Sequence, residues 1–494
     1  MRRRGASNSP SRASLVDKSD VQPAPYSPLF RVLVCLPVLC LLPALVGIAA
    51  MTQRLARSHA SGDDCPNLAT MHPGITKVDL RNCNLKHVPL VAFEFASVSV
   101  VDLSRNAISH IPPAFCEQLP NVEIVFLSEN AFTSVPDMSR CAKLRILSLK
   151  RNQITSFSET ALPTDIQWLM LTANDLDRLP HSFGRHHKLQ KLMLTGNRLA
   201  ALPDSFSNLV SLELVRLASN KLERIPDFVF KLPRLSWISL SGNPMGPPRD
   251  LASHALRVEQ WHKVVKGELL GEGTSGEVFR GYLRAEKNVP LAFKVFKSDM
   301  TNDGAAVDEV DTALAASAAK AGNLVTPVAQ IVGHPAGSQV LAYALLDSHT
   351  ALGDPPSLTT CTRDLFYAPK FAGASEVVLF KIILDLASAL TALHAQGILH
   401  GDFYAHNVLC KGIYTCKVSD FGAASRMHAS WAEAAQRVEA RAFGALIDDL
   451  LPFFPDAGSA LVAKLTRVRN ATFSERDASK RPLMAAVVNT LRSM

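Results

Sequence analysis

The chain has 494 residues, of which 47% are hydrophobic and 19% charged, with a formal net charge of +8. That composition excludes a disordered polymer and leaves room for roughly two to four domains. No Lys/Arg block sits beside aromatic residues after position 31, so no nucleic-acid partner is expected and the basic balance reads as solvated surface. The nine cysteines include no C-x₂-C pair and no His/Cys spacing suited to zinc. They are expected to be mostly buried free thiols in a reducing compartment, although Cys116 and Cys141 could approach one another across adjacent repeats.

Residues 1–31 are rich in Arg, Ser and Pro without apolar periodicity and read as a disordered basic leader. Residues 32–51 come next as twenty residues without a charge, long enough to cross a bilayer despite Pro37 and Pro43. A single membrane-spanning helix is the leading reading; a cleaved signal or organelle presequence and a mis-assigned start are the alternatives. Arg2, Arg3, Arg4, Arg12, Lys18 and Arg31 precede the segment and only Arg54 and Arg57 lie close after it, which by charge alone would keep the N-terminus inside.

Residues 65–246 repeat. Cys83, Asn106, Asn130, Asn152, Asn174, Asn197, Asn220 and Asn243 recur at steps of 22 to 24, each with a leucine three residues earlier and an apolar residue two later. Eight matches to L-x-x-L-x-L-x-x-N-x-L identify leucine-rich repeats, which bury inward leucines only by stacking into a solenoid. The leucines and asparagines build that solenoid. Recognition of a protein or peptide ligand is expected from variable strand positions such as Glu123, Arg145, Gln167, Gln190, Glu213 and Ser236.

Residues 247–263 form a brief linker, expected to be helical from Leu251 to Lys263 and short enough to hold the solenoid close to the C-terminal region. From 264 to 494 the motifs concern phosphate chemistry. Leu270-Gly271-Glu272-Gly273-Thr274-Ser275-Gly276-Glu277-Val278 is a G-x-G-x-x-G-x-V loop, followed by Ala292-Phe293-Lys294. Glu376 to Gln396 reads as a long amphipathic helix delivering His400-Gly401-Asp402-Phe403-Tyr404-Ala405-His406-Asn407, and Asp420-Phe421-Gly422 comes thirteen residues after Asn407. One carboxylate to orient a hydroxyl and two oxygen ligands for Mg²⁺ are what phosphoryl transfer requires. Each piece alone is common in caps and turns; their order and spacing carry the inference.

These motifs resemble a eukaryotic-type protein kinase domain from about Val264 to the C-terminus. The resemblance implies an α/β solenoid of leucine-rich repeats followed by a bilobal α+β kinase domain, with one N-terminal hydrophobic helix. It implies that Asp402 aligns the substrate hydroxyl, Asn407 and Asp420 hold Mg²⁺, and Lys294 contacts the ATP phosphates. Leu270, Gly271, Gly273 and Gly276 would cover the nucleotide, with Val278, Ala292 and Leu409 around the adenine. Glu309 would pair with Lys294, with Asp308 and Asp311 as competitors. Glu439, where most kinases place Asp, would anchor the catalytic-loop backbone, and Arg481-Pro482 match the closing kinase motif.

Gly401 replaces the usual Arg before the catalytic Asp, and only sixteen residues separate Gly422 from Glu439, with no Ala-Pro-Glu motif. Switching by activation-loop phosphorylation is therefore not expected, and Arg481 must find a partner other than its customary Glu. The His-Gly-Asp-x-Tyr-Ala-His-Asn sequence, the short segment and Pro355-Pro356-Ser357-Leu358 leading to Cys361-Thr362-Arg363-Asp364 resemble a group of bacterial and plant leucine-rich-repeat kinases. That resemblance implies an ATP- and Mg²⁺-dependent Ser/Thr kinase with a protein substrate. The need for ATP favours a membrane-anchored chain whose kinase faces the cytosol, against the charge count. The alternative is a nucleotide-binding pseudokinase scaffold acting through its repeats.

Overall fold

The computed structural model describes residue 65 and residues 74–493, apart from 91–95, 252–255 and 298–299. The expected leader and membrane-spanning helix lie outside the described residues. Among the described residues, Glu376–Ala395 is long and apolar enough to cross a membrane, but half of its apolar window is buried within the protein.

Eight short strands form one parallel sheet in chain order: β1 (Lys77–Asp79), β2 (Val100–Asp102), β3 (Ile124–Phe126), β4 (Ile146–Ser148), β5 (Trp168–Met170), β6 (Lys191–Met193), β7 (Leu214–Arg216) and β8 (Trp237–Ser239). The middle residue of each, such as Val125, Leu169 or Val215, points into the solenoid core and is at most 1% exposed. The flanking residues face the concave side, as the two-residue period of a strand dictates. Short helices α1 (Phe115–Gln118) and α2 (Asp227–Phe230) lie on the return path, burying Phe115, Val229 and Phe230.

The recurrent asparagine ties neighbouring repeats as well as its own turn. Asn174 donates to Leu149 O and Leu171 O at 3.0 Å, and its Oδ1 accepts from Ile154 N at 3.0 Å. A buried amide left unpaired would cost about 1–3 kcal/mol. The residue before it is left-handed in every repeat: Asn82, Arg105, Glu129, Arg151, Ala173 and Ser219 have φ of 53–58°, and Gly196 and Gly242 have φ of 68° and 70°. The asparagine ladder thus holds even non-glycine residues in a conformation they seldom adopt.

The linker is not helical where it is described. It contains β9 (Arg257–Gln260) and a 3₁₀ turn at Trp261–Lys263, and β9 pairs in parallel with β13 at the edge of the next sheet. That six-stranded sheet also contains β10 (Val264–Glu272), β11 (Gly276–Leu283), β12 (Leu291–Phe296), β13 (Pro327–Val332) and β14 (Val340–Ala344), in the order β10-β11-β12-β14-β13-β9. Helix α3 (Ala306–Ser317) comes after β12. The remaining lobe begins with β15 (His349–Ala351) and is built around α4 (Glu376–Ala395) and α5 (Ala432–Leu450), with α6 (Ala460–Arg469) and α7 (Met484–Arg492) completing it. The loops between α4 and α5 carry β16 (Ile398–Leu399), β17 (Val408–Lys411), β18 (Thr415–Val418) and β19 (Ser425–Arg426).

The solenoid and this lobe share one core. Concave-face residues Met193, Leu214 and Trp237 lie in the same buried cluster as Phe403, Tyr404 and Phe443.

The expectation of mostly free thiols is corrected. Cys65–Cys83, Cys116–Cys141 and Cys410–Cys416 are disulfide-bonded, and Cys361 is a buried free thiol. The repeat period brings Cys116 and Cys141 to a Cα separation of 4.8 Å, and the β17–β18 register sets Cys410 directly opposite Cys416. A non-reducing digest of the oxidised chain should yield these three cross-linked pairs, with Cys361 alkylated only after denaturation. Ready alkylation of Cys116 and Cys141 in the native oxidised chain would contradict the pairing.

Candidate active site

The glycine-rich stretch is the tip of the β10–β11 hairpin, with Gly271 opposite Val278 and Gly273 N donating to Gly276 O at 2.8 Å. Gly276 is required by proximity, since a Cβ there would lie 2.4 Å from Val295 O. Lys294 lies across from Val278 on one side of β12 and from Leu341 on the other. Its ammonium donates to Glu309 Oε1 on α3, and both residues are buried. Burial pushes the Glu309 carboxyl up, and Lys294 opposes this by favouring its ionised form. Asp308 and Asp311 face elsewhere. Asp308 pairs with Arg249 at 2.5 Å, and Asp311 accepts from Asp250 N at 2.7 Å.

Asp402 and Asn407 lie on the loop between β16 and β17. Asn407 Nδ2 donates to Asp402 O at 2.9 Å and to Asp402 Oδ2 at 2.8 Å, leaving the amide oxygen as the group suited to a cation. Asp420 adopts a left-handed backbone (φ 62°), and its Oδ1 accepts from Gly422 N at 3.0 Å. A Cβ built at Gly422 would lie 3.2 Å from Asp420 Oδ1 and 3.8 Å from Glu309 Oε2, so the Asp-Phe-Gly turn sits beside the Lys294–Glu309 pair. Among the described residues no group of three or more His, Cys, Asp or Glu side chains is arranged to hold a metal alone. One carboxylate and one amide oxygen fit Mg²⁺ that completes its shell with phosphate oxygens and water. Ala292 is opposite Tyr343, and Leu409 is opposite Ala351.

The loop is held at both ends. Glu439 accepts from Gly401 N at 2.7 Å and His400 N at 3.3 Å, and shares a 2.7 Å bond with His394. Burial alone would raise its pKa, but His394 and these donors bring it below the ordinary carboxylate value. At the other end Asp364 accepts from Ala405 N at 2.5 Å and pairs with His406 Nδ1 at 2.7 Å.

The solenoid forms the remaining wall. From β7, Arg216 Nη1 donates to Gly401 O at 2.8 Å, Nη2 donates to Asp402 Oδ1, and Nε lies 2.8 Å from Asp303 Oδ1. Burial would lower the Arg216 pKa, yet Asp402 and Asp303 outweigh it and keep the guanidinium charged. Burial would likewise raise Asp402, but Arg216 is the largest influence holding it below the ordinary value. From β8, Trp237 Nε1 donates to Phe403 O at 3.0 Å, and its ring stacks on Tyr404 with centroids 4.2 Å apart. The short segment after Gly422 packs on the same repeats: Leu240 N donates to Ser425 Oγ at 2.9 Å, and Trp431 stacks on Phe230.

Two expected ligand-facing positions are engaged internally. Glu213 accepts from Thr362 Oγ1, and Ser236 accepts from Arg441 at 2.5 Å. Arg481 also finds its replacement partner in the solenoid, donating to Pro233 O at 2.7 Å. Sequence reasoning missed Arg216, Trp237, Asp303 and Asp364. The concave-facing register of the strands singles out Arg216 and Trp237 as candidates, but nothing in the sequence indicates what they face.

Similarity to known proteins divides along the same lines. Residues 264–442 match the family model of protein tyrosine and serine/threonine kinases, and residues 73–132 and 187–245 match the leucine-rich repeat model. The chain is 29% identical over 164 residues to the mitogen-activated protein kinase kinase kinase bck1 of Aspergillus fumigatus, covering 32% of this chain and 9% of that protein. It is 27% identical over 190 residues to the Sus scrofa proto-oncogene serine/threonine-protein kinase mos, covering 36% of this chain and 52% of that protein. Over 59 residues it is 36% identical to the leucine-rich repeat-containing G-protein coupled receptor 5 of Rattus norvegicus, covering 12% and 6%. The chain thus spans only part of the length of each of these relatives. Fold and matches together define a protein kinase domain preceded by leucine-rich repeats. Residues 264–442 are thus similar to protein kinases, and residues 73–132 and 187–245 to leucine-rich repeats.

Trp237→Ala should destabilise the chain by about 3–5 kcal/mol, because it removes a buried ring between solenoid and catalytic loop. Urea unfolding measures this; a loss below about 1 kcal/mol would mean that the stack contributes little.

Proposed function

We propose that the chain is an ATP- and Mg²⁺-dependent protein serine/threonine kinase whose catalytic base is Asp402. The observation that carries this reading is that the Lys294–Glu309 pair lies beside the Asp420-Phe421-Gly422 turn, while Asn407 holds Asp402. In this account the hydroxyl oxygen of the substrate attacks the γ-phosphorus of ATP. The bond from that phosphorus to the bridging oxygen breaks, its electron pair leaves with ADP, and the hydroxyl proton passes to Asp402. Lys294, oriented by Glu309, binds the α- and β-phosphates, and Asn407 and Asp420 supply the oxygen ligands for Mg²⁺, which neutralises phosphate charge when bound.

Leu270, Gly271, Gly273 and Gly276 cover the phosphates, while Val278, Ala292 and Leu409 enclose the adenine. The repeats recognise a protein or peptide through the row from Glu123 to Gln190, since Glu213 and Ser236 already bind the kinase lobe. Residues 32–51 anchor the chain in a membrane with the kinase on the side where ATP is available. The second reading, a nucleotide-binding scaffold, draws support from both Asp402 carboxylate oxygens being engaged.

Incubating the full chain with labelled ATP and Mg²⁺ distinguishes the two. The kinase reading predicts incorporation into the chain or a protein acceptor that falls at least about a hundredfold in Lys294→Met and Asp402→Asn. Nucleotide-dependent thermal stabilisation without incorporation would favour the scaffold.

A further inference from the structure

We propose that Arg216 of the solenoid is the positioning residue for Asp402, taking the place of an arginine that the catalytic loop itself lacks. This rests on the kinase reading above. Gly401 has φ of 73°, and a Cβ there would meet Ile238 O at 2.5 Å and Ala423 O at 2.6 Å. A side chain has no room at this position because the backbone of β8 lies against the loop. The loop residues from Asp402 to Asn407 contain no Lys or Arg. The guanidinium arrives instead from β7, one repeat away from the strand that excludes it.

Arg216 has the geometry of a clamp. Its two terminal nitrogens grip Gly401 O and Asp402 Oδ1, while Nε faces Asp303 in the segment before α3. The side chain is 2% exposed, so its torsions are fixed by packing and its charge is matched by two carboxylates. Asn407 holds the other Asp402 oxygen, which defines the carboxylate plane from both sides. A planar, two-pronged donor can fix backbone and side chain of the loop together; a lysine ammonium at the same site cannot.

The clamp also bears on regulation. Among the described residues between Gly422 and Glu439 the hydroxyl-bearing side chains are Ser425 and Ser430, and Ser425 is buried against Leu240. The repeats hold the catalytic loop through the hydrogen bonds of Arg216 and Trp237, a support that needs no phosphate on the segment after Gly422.

The test uses the full chain with Arg216→Met and Arg216→Lys, beside the Lys294→Met control. Removing the clamp should lower kcat about 10- to 100-fold while KM for ATP stays within about twofold, because Asp402 is misplaced and the nucleotide contacts are intact. Arg216→Lys should be intermediate. An unchanged or raised kcat in Arg216→Met, or a wild-type rate in Arg216→Lys, would overturn the proposal; a raised rate would mean that the guanidinium masks Asp402. Hydrogen exchange over residues 400–407 supplies a reading independent of turnover: faster exchange in Arg216→Met is expected, and unchanged protection would overturn the clamp. If the wild-type chain transfers no phosphate, the kinase reading fails while the exchange measurement still decides the clamp.

Discussion

A buried guanidinium is costly unless every face of it is matched, and Arg216 is matched only when solenoid and kinase lobe are in register. Its partners are a loop carbonyl, the carboxylate of Asp402 and the carboxylate of Asp303, so one strand of the repeats depends on two separate stretches of the kinase. The rest of the interface serves this alignment. Trp237 fixes the loop after Asp402, Ser236 receives Arg441 of α5, and Pro233 O receives Arg481 near the C-terminus. The horseshoe therefore has its own kinase lobe against the C-terminal part of its concave side.

That arrangement gives a physical reason for the departures in the motif region. A long activation segment would compete with the last repeats for the same space, and here the short segment lies between them, with Ser425 and Trp431 held by Leu240 and Phe230. An arginine at position 401 would collide with β8. The contacts that the loop does make with the solenoid come from Arg216 and Trp237. The active-site geometry is then a property of the whole chain more than of the kinase domain alone.

Much of the fold was legible because periodicity reports on local burial. The asparagine spacing identified eight repeats, and the structure adds what period alone cannot give: each amide also bonds the preceding repeat, as Asn174 does with Leu149 O. Of the three acidic residues weighed on α3, Glu309 bonds Lys294 while Asp308 turns to Arg249. The linker misled because Arg257–Gln260 takes its extended form from pairing with β13, a partner far along the chain that no local pattern reveals. The cysteines misled because pairing depends on Cα separation, which the repeat pitch and the β17–β18 register set. Arg216 was invisible as a site residue, since a charged residue at a variable repeat position reads as solvent-facing or ligand-binding until the kinase lobe is placed against it.

Solenoid and kinase form one cooperative unit joined through the catalytic loop, and calorimetry of the full chain tests this most directly. One transition, with calorimetric and van't Hoff enthalpies in agreement, is the result expected for a shared core. Two separable transitions, one for the repeats and one for the kinase domain, would show that the interface is too weak to govern Asp402 and would contradict the account.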